Sequence, residues 1–180
     1  MTERTKLAII YGSTREGRLC DAVAAWAAVQ IEADGRYDLI EVDPAKAEAY
    51  EVVSRRLDAA DAFLVVTPEY NHSFPVPLKE LVDGYGTEWH AKPVAFVSYG
   101  GISGGLRAVE HLRGVFAELH TVGVRDTVSF AGAWKRFGPD GMLRDPAEAE
   151  PSMGTLLSRL HWWAEALSKA RNAIQFGEAA

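Results

Sequence analysis

A single cysteine, Cys20, stands among 180 residues, which excludes an internal disulfide and any fold stapled by disulfide loops. No apolar run is long enough to span a bilayer, so no membrane segment is expected. Basic blocks are missing as well. Nineteen Lys and Arg face 25 Asp and Glu, a net charge of -6, which argues against nucleic acid or an anionic membrane surface as a main partner. The charged start, Met1 to Lys6, precedes too short an apolar stretch for a secretory signal, and the cytoplasm is the expected compartment. The five histidines lack the spacing to carboxylates and to one another that a metal site needs, so no metal is expected. Neither internal repeats nor low-complexity segments occur.

What is present is a chain 48% hydrophobic, of a length that suits one domain spanning residues 1–180. Apolar runs alternate with helical patterns. Leu7 to Tyr11 reads as a first strand, and Leu19, Val23, Trp26, Ala27 and Ile31 recur at helical spacing behind it. Tyr37 to Val42, Ala62 to Val66, Pro93 to Ser98 and Val124 to Val128 read as four further strands. Helices are expected at Ala49 to Ala60, Leu78 to Tyr85, Gly105 to Leu119 and Ser152 to Ala173. The last of these places Leu156, Leu160, Trp163 and Leu167 on one stripe and turns Trp162 elsewhere. Residues Phe130 to Asp145, rich in glycine and proline, read as an irregular excursion. The expected fold is α/β: an open five-stranded parallel sheet of order 2-1-3-4-5 between helices on both faces. Its ligands lie beyond the carboxyl ends of the strands, where the loops after strands one, three and four converge.

The first of those loops is Gly12-Ser13-Thr14-Arg15-Glu16-Gly17-Arg18. A strand ends, glycines let the backbone bend, and a helix begins with its unpaired amides and positive dipole end near the bend, which is an anion cradle. Ser13 adds a hydroxyl, and Arg15 and Arg18 add charge. The Gly12 to Gly17 spacing imitates a P-loop, but the Lys and Ser/Thr that should follow are Arg18 and Leu19, which excludes the usual triphosphate chemistry. No G-x-G-x-x-G dinucleotide fingerprint occurs here either. A small phosphate monoester remains.

The second loop, Thr67 to Pro77, carries three prolines together with Tyr70, Asn71, His72 and Phe74. Stiff backbone, flat side chains and amide donors suit a planar heteroaromatic ring with polar edges, although Tyr70 and Phe74 also suit ordinary surface packing and His72 a solvated loop. The third, Tyr99 to Gly105, is glycine-rich and lets backbone approach a flat ligand. A phosphate end and a ring end fit one molecule, flavin mononucleotide (FMN).

These motifs resemble the NADPH-dependent FMN reductase family, which has a flavodoxin-like fold and includes quinone- and azo-dye-reducing members. Gly12-Ser13-Thr14-Arg15 resembles its phosphate loop. Pro68-Glu69-Tyr70-Asn71-His72-Ser73 with Pro75 and Leu78-Lys79 resembles its signature segment, and Gly100-Gly101 with Gly104-Gly105-Leu106-Arg107 its third flavin loop. The resemblance implies that Ser13, Arg15 and Arg18 hold the FMN phosphate and that Pro68, Glu69, Tyr70 and Asn71 line the ring. Ser98, Tyr99, Gly100 and Gly101 then approach its pyrimidine side. It implies a homodimer or homotetramer, with Leu78, Leu81, Val82, Val109 and Leu112 available to the interface, although core packing explains them as well.

No catalytic acid or base stands out, as suits an enzyme whose flavin carries the chemistry. NADPH, or NADH, is the expected hydride donor, followed in the same space by a small-molecule acceptor bordered by His72, Ile102 and Ser103. Two other readings compete. One is an electron carrier that holds FMN but meets only protein partners. The other is a serine hydrolase, because Gly101-Ile102-Ser103-Gly104-Gly105 satisfies G-x-S-x-G and Ser103, Asp145 and His161 follow in hydrolase order.

Overall fold

The structure is a computed structural model that describes residues 4–177. Five strands, β1 (Thr5–Tyr11), β2 (Tyr37–Val42), β3 (Ala62–Pro68), β4 (Pro93–Gly100) and β5 (Val122–Ala131), pair in parallel in the order β2-β1-β3-β4-β5. That is the order expected from the sequence. β3 and β4 are buried from end to end, which is why they read as unbroken apolar runs.

Helices α1 (Cys20–Asp34) and α6 (Ala149–Ala173) cover one face, and α2 (Tyr50–Ala59), α3 (Val76–Asp83) and α4 (Leu106–Glu118) cover the other. A short helix, α5 (Ala133–Arg136), follows β5. α1 stops where Gly35 takes a left-handed φ of 76°. α3 starts behind Pro75 with Pro77 in its first turn, where the missing N–H removes no helical bond. On the second face the Trp89 ring meets Phe63 and Phe116 edge-on at 4.8 and 5.5 Å, and its Nε1–H donates to the carbonyls of Val82 and Tyr85. Burying so large a ring stabilises by about 2–3 kcal/mol only because that polar atom is satisfied.

The structure departs from the sequence reading in three places. β5 is twice the length of the five residues expected, taking in Val122 and Gly123 before them and Ser129, Phe130 and Ala131 after them, and its register slips midway: Val94 pairs with Gly123 but Phe96 with Thr127. Arg113 of α4 holds this bulge by donating to the carbonyls of Val124 and Arg125 and to Thr127 Oγ1. The buried stripe of α6 runs through Met153, Leu156, Leu157, Leu160 and Ala164, not through Trp163, whose ring instead meets Trp162 edge-on at the surface. Leu78, Val82, Val109 and Leu112, expected to be available to an interface, are fully buried in the core beneath α3 and α4, and Leu81 packs against them. Among the described residues no helix is long and apolar enough to cross a membrane. No cluster of three or more His, Cys, Asp or Glu among them is arranged to hold a metal ion.

Candidate functional site

Three loops leave the carboxyl ends of β1, β3 and β4 side by side. They surround a cavity of about 190 Å3 lined by Arg15, Arg18, Pro68, Glu69, Tyr70, Tyr99, Gly100 and Trp134, among others. Roughly 300–1,000 Å3 encloses a whole drug-sized ligand, so this cavity takes one part of a ligand and leaves the remainder in the open. Larger cavities lie elsewhere. One of about 400 Å3 sits at the opposite edge of the sheet beside Arg4, Thr5 and Asp61, and an apolar one of about 530 Å3 lies between α1 and residues 139–146. Volume does not decide between them. In an open parallel sheet the chemistry gathers at the carboxyl edge near the switch between β1 and β3, where the smaller cavity lies.

Each loop is held by its own device. Gly12 donates its N–H to the Val66 carbonyl at 2.7 Å, and a Cβ on Gly12 would stand 2.7 Å from that same oxygen. Glycine there is required by the approach of the loop to β3. Farther along, Ser13 is fully buried with its Oγ 2.9 Å from Tyr70 Oη, a bond that ties the first loop to the second. The Arg15 guanidinium carbon lies over the Tyr70 ring, 3.7 Å from its centre, and Arg15 itself is exposed.

Arg18 is placed differently from an open phosphate ligand. Its Nε donates to Asp21, its Nη1 to the Ser13 carbonyl and Asp43 Oδ1, and its Nη2 to Asp43 Oδ2 at 2.6 Å. Four of the five guanidinium N–H groups are thus engaged by the protein. The side chains of Arg18 and Asp43 are only 9% and 5% exposed. Burial pulls the Asp43 carboxyl upward, but the Arg18 hydrogen bonds and the Ala45 amide outweigh it and hold Asp43 below the usual carboxylate range. Arg18 therefore braces the loop through the Ser13 carbonyl and leaves Arg15 as its exposed cation.

In the second loop Tyr70 and Ser73 exchange backbone hydrogen bonds at 2.8 and 3.0 Å across Asn71 and His72, whose φ values are 51° and 69°. Two successive left-handed residues make the tight turn that fits a right-twisted hairpin, and Asn and His are among the non-glycine residues that tolerate it best. The turn exposes Asn71 and His72 at its tip, outside the cavity lining. Glu69 faces inward and accepts from Ser103 Oγ at 2.6 Å, from the Arg107 amide and from Arg107 Nε at 2.6 Å. Its carboxyl, raised by burial but lowered more by Arg107 and Ser103, stays below the ordinary range. Glu69 thereby joins the second loop to the third.

The third loop rests on Ser98, fully buried, whose Oγ donates to the Gly104 carbonyl, as does Ser129 Oγ. Tyr99 is also buried. Its phenol, beside the Cys20 thiol, is held well above the ordinary range, chiefly by burial. Cys20 is fully buried too, and burial pushes its thiol up to about 11, so it serves as packing and not as a nucleophile. At Gly101 a Cβ would meet nothing within 4 Å. No packing demand selects glycine at this exposed position, whereas its neighbour Gly100 lines the cavity, where a Cβ would stand 3.2 Å from the Gly105 nitrogen.

The hydrolase arrangement does not form. Ser103 donates to Glu69, whereas His161 Nδ1 bonds Thr5 Oγ1 at the start of β1 and its ring meets Tyr37 at the start of β2, the opposite edge of the sheet. Sequence reasoning also missed Trp134, on α5 at the end of β5. An isolated tryptophan in a glycine-flanked polar stretch, Gly132-Ala133-Trp134-Lys135, was the available signal.

A family model described as NADPH-dependent FMN reductase matches residues 5–135. A probable NADPH:quinone oxidoreductase of Oryza sativa subsp. japonica is 36% identical over 126 residues, 66% of this chain and 62% of that protein. An NAD(P)H-dependent FMN reductase of Schizosaccharomyces pombe is 30% identical over 120 residues, 56% of this chain and 60% of that one. The chain thus spans about three-fifths of the length of these relatives. Among solved structures, the flavoenzyme NAD(P)H:(acceptor) oxidoreductase FerB of Paracoccus denitrificans superposes with a TM-score of 0.70 at 23% identity, covering 89% of this chain and 98% of that chain, a likeness of fold.

Proposed function

This chain belongs to the NADPH-dependent FMN reductase family, and on that premise we propose that it is an NAD(P)H-dependent oxidoreductase working through bound FMN. FMN, when bound, supplies the hydride chemistry, taking two electrons and a proton from the nicotinamide and giving them to a second substrate such as a flavin or a quinone. The carrying observation is the Ser13–Tyr70 hydrogen bond, which fixes an anion-binding turn and a ring-binding turn side by side at one edge of the sheet.

Arg15 and the loop amides hold the phosphate, Ser13, buried beneath them, ties the turn to Tyr70, and Arg18, through the Ser13 carbonyl, keeps the turn in shape and offers its one remaining N–H. Pro68 and Tyr70 line the ring, Asn71 at the tip of the turn lies outside that lining, and Glu69 keeps the segment in place by gripping Ser103 and Arg107. Tyr99, Gly100 and Gly101 bring backbone to its pyrimidine side, where amides favour negative charge, with Ser98 supporting the loop from below. His72, Ile102 and Ser103 border the space that nicotinamide and acceptor occupy in turn, which gives ping-pong kinetics. The chain assembles as a homodimer or homotetramer. With the expected interface residues buried, the exposed Val76 and Leu106 on α3 and α4 are the apolar residues left to join copies.

The test is the visible spectrum of purified protein before and after anaerobic NADPH. Flavin bands that bleach with NADPH and return with a quinone are the expected result. Protein that refuses FMN at saturating levels overturns the reading, and bound flavin that NADPH leaves oxidised replaces it with the electron carrier.

A further inference from the structure

Trp134 stands at the lip of the site, 67% exposed, on a segment that is firmly anchored on both sides. Gly132, in the left-handed conformation at a φ of 60°, donates its N–H to the Gly101 carbonyl at 2.8 Å and accepts from the Lys135 amide. Ala133 is buried, and Phe137 is buried edge-on against Phe130 at 5.2 Å. The residue between these anchors therefore faces outward on rigid backbone and pays little further ordering entropy when a ligand stacks on it. One residue beyond Gly101, across the same backbone clasp, Ile102 is 95% exposed. Two large apolar side chains thus flank the hydrogen bond that joins the third loop to the end of β5, and one of them, Trp134, lines the cavity together with Arg15 and Tyr70.

We propose that Trp134 and Ile102 form the edge that selects the electron acceptor, favouring flat, uncharged ring compounds that stack on the indole over compact charged ones. This rests on the oxidoreductase reading above and adds the residues that decide between acceptors. An exposed indole presents a wide face whose stacking is worth about a factor of ten at most beyond simple area burial, and a hydrophilic anion gains nothing from it. Ile102 contributes apolar area alone and so a smaller share.

The experiment uses the full chain loaded with FMN and compares kcat/KM for 2-methyl-1,4-naphthoquinone with kcat/KM for ferricyanide. Trp134→Ala lowers the ratio of the two about tenfold, Trp134→Phe keeps it within about threefold of the unaltered protein, and Ile102→Ser lowers it about threefold. A ratio unchanged in Trp134→Ala overturns the proposal. Should that variant not fold, Ile102→Ser, at an exposed position, decides in the same way. Should the unaltered protein oxidise NADPH with neither acceptor, the oxidoreductase reading falls by itself. The selecting edge is then judged by equilibrium dialysis of the naphthoquinone, where Trp134→Ala raises Kd about tenfold and an equal Kd in both proteins rejects it.

Discussion

Ser13 Oγ and Tyr70 Oη stand 2.9 Å apart, one on a fully buried serine after β1 and the other on the turn after β3, 57 positions further along the chain. This bond joins the two halves of the site, with Arg15 of the first loop lying over the same Tyr70 ring. A bond of this kind contributes about 1 kcal/mol, so Ser13→Ala and Tyr70→Phe should each weaken FMN binding about fivefold. Because each variant removes the same bond, the double variant should lose much less than the product of the two. Quenching of FMN fluorescence on titration measures all four affinities, and strictly multiplicative losses would refute the coupling.

The two arginines of the first loop should separate cleanly. Arg15 is exposed, so Arg15→Gln should weaken FMN binding about tenfold or more with the melting temperature almost unmoved. Arg18→Gln leaves Asp43 buried without its partner, an arrangement that costs about 3–5 kcal/mol. For a chain of this length that lowers Tm by roughly 6–20 °C. Thermal unfolding of the flavin-free proteins checks both, and a stable Arg18→Gln protein would refute the bracing role.

Lys92 gives a pH dependence with a definite sign. Its side chain is buried, donating to the carbonyls of Leu57 and Asp58, and burial lowers its ammonium from 10.5 to about 8. Between pH 8 and 10.5 the unfolded chain therefore binds more protons than the folded one, and this group makes stability rise with pH across that window. Below pH 8 the cost of burying the charged form is fully present. Denaturant unfolding of the parent protein and Lys92→Met should show the parent gaining on the variant, by an amount of order 3 kcal/mol at most, as pH goes from 8 to 10.5. A constant difference would show that Lys92 stays charged.

The sheet was legible because β1, β3 and β4 are buried on both faces and their apolar runs have no other use. The loops were legible by composition. What composition cannot carry is pairing: nothing about Arg18 announces that Asp43, 25 residues on, will engage it, or that Glu69 will meet Ser103 and Arg107. β5 was read short at its ends: Gly123 reads as a break ahead of the apolar run, and Phe130 and Ala131 run into the glycine- and proline-rich stretch that follows. Trp163 and Ala164 were confused because residues one apart on a helix differ by only about 100° in direction, and a small residue leaves a weak apolar signal.

Gly12 and Gly101 are the last pair that the structure distinguishes, since both belong to site loops and only one is demanded by packing. At Gly12 an added Cβ stands 2.7 Å from the Val66 carbonyl oxygen and 3.0 Å from Thr67 Cα, backbone atoms of a central strand that have nowhere to move. Gly12→Ala should therefore cost about 1–3 kcal/mol of stability, as overpacking does, whether or not flavin is added. At Gly101 the Cβ meets nothing, and the residue is not left-handed, so alanine fits the folded chain. Its methyl instead fills the space in front of the backbone that a flat ring would touch. Gly101→Ala should keep its Tm within about 2 °C and lose FMN affinity about tenfold or more, read by thermal unfolding without flavin and by titration with it. An affinity equal to that of the parent protein would mean that no ring lies against this loop, and the third side of the flavin site would have to be sought at Trp134 instead.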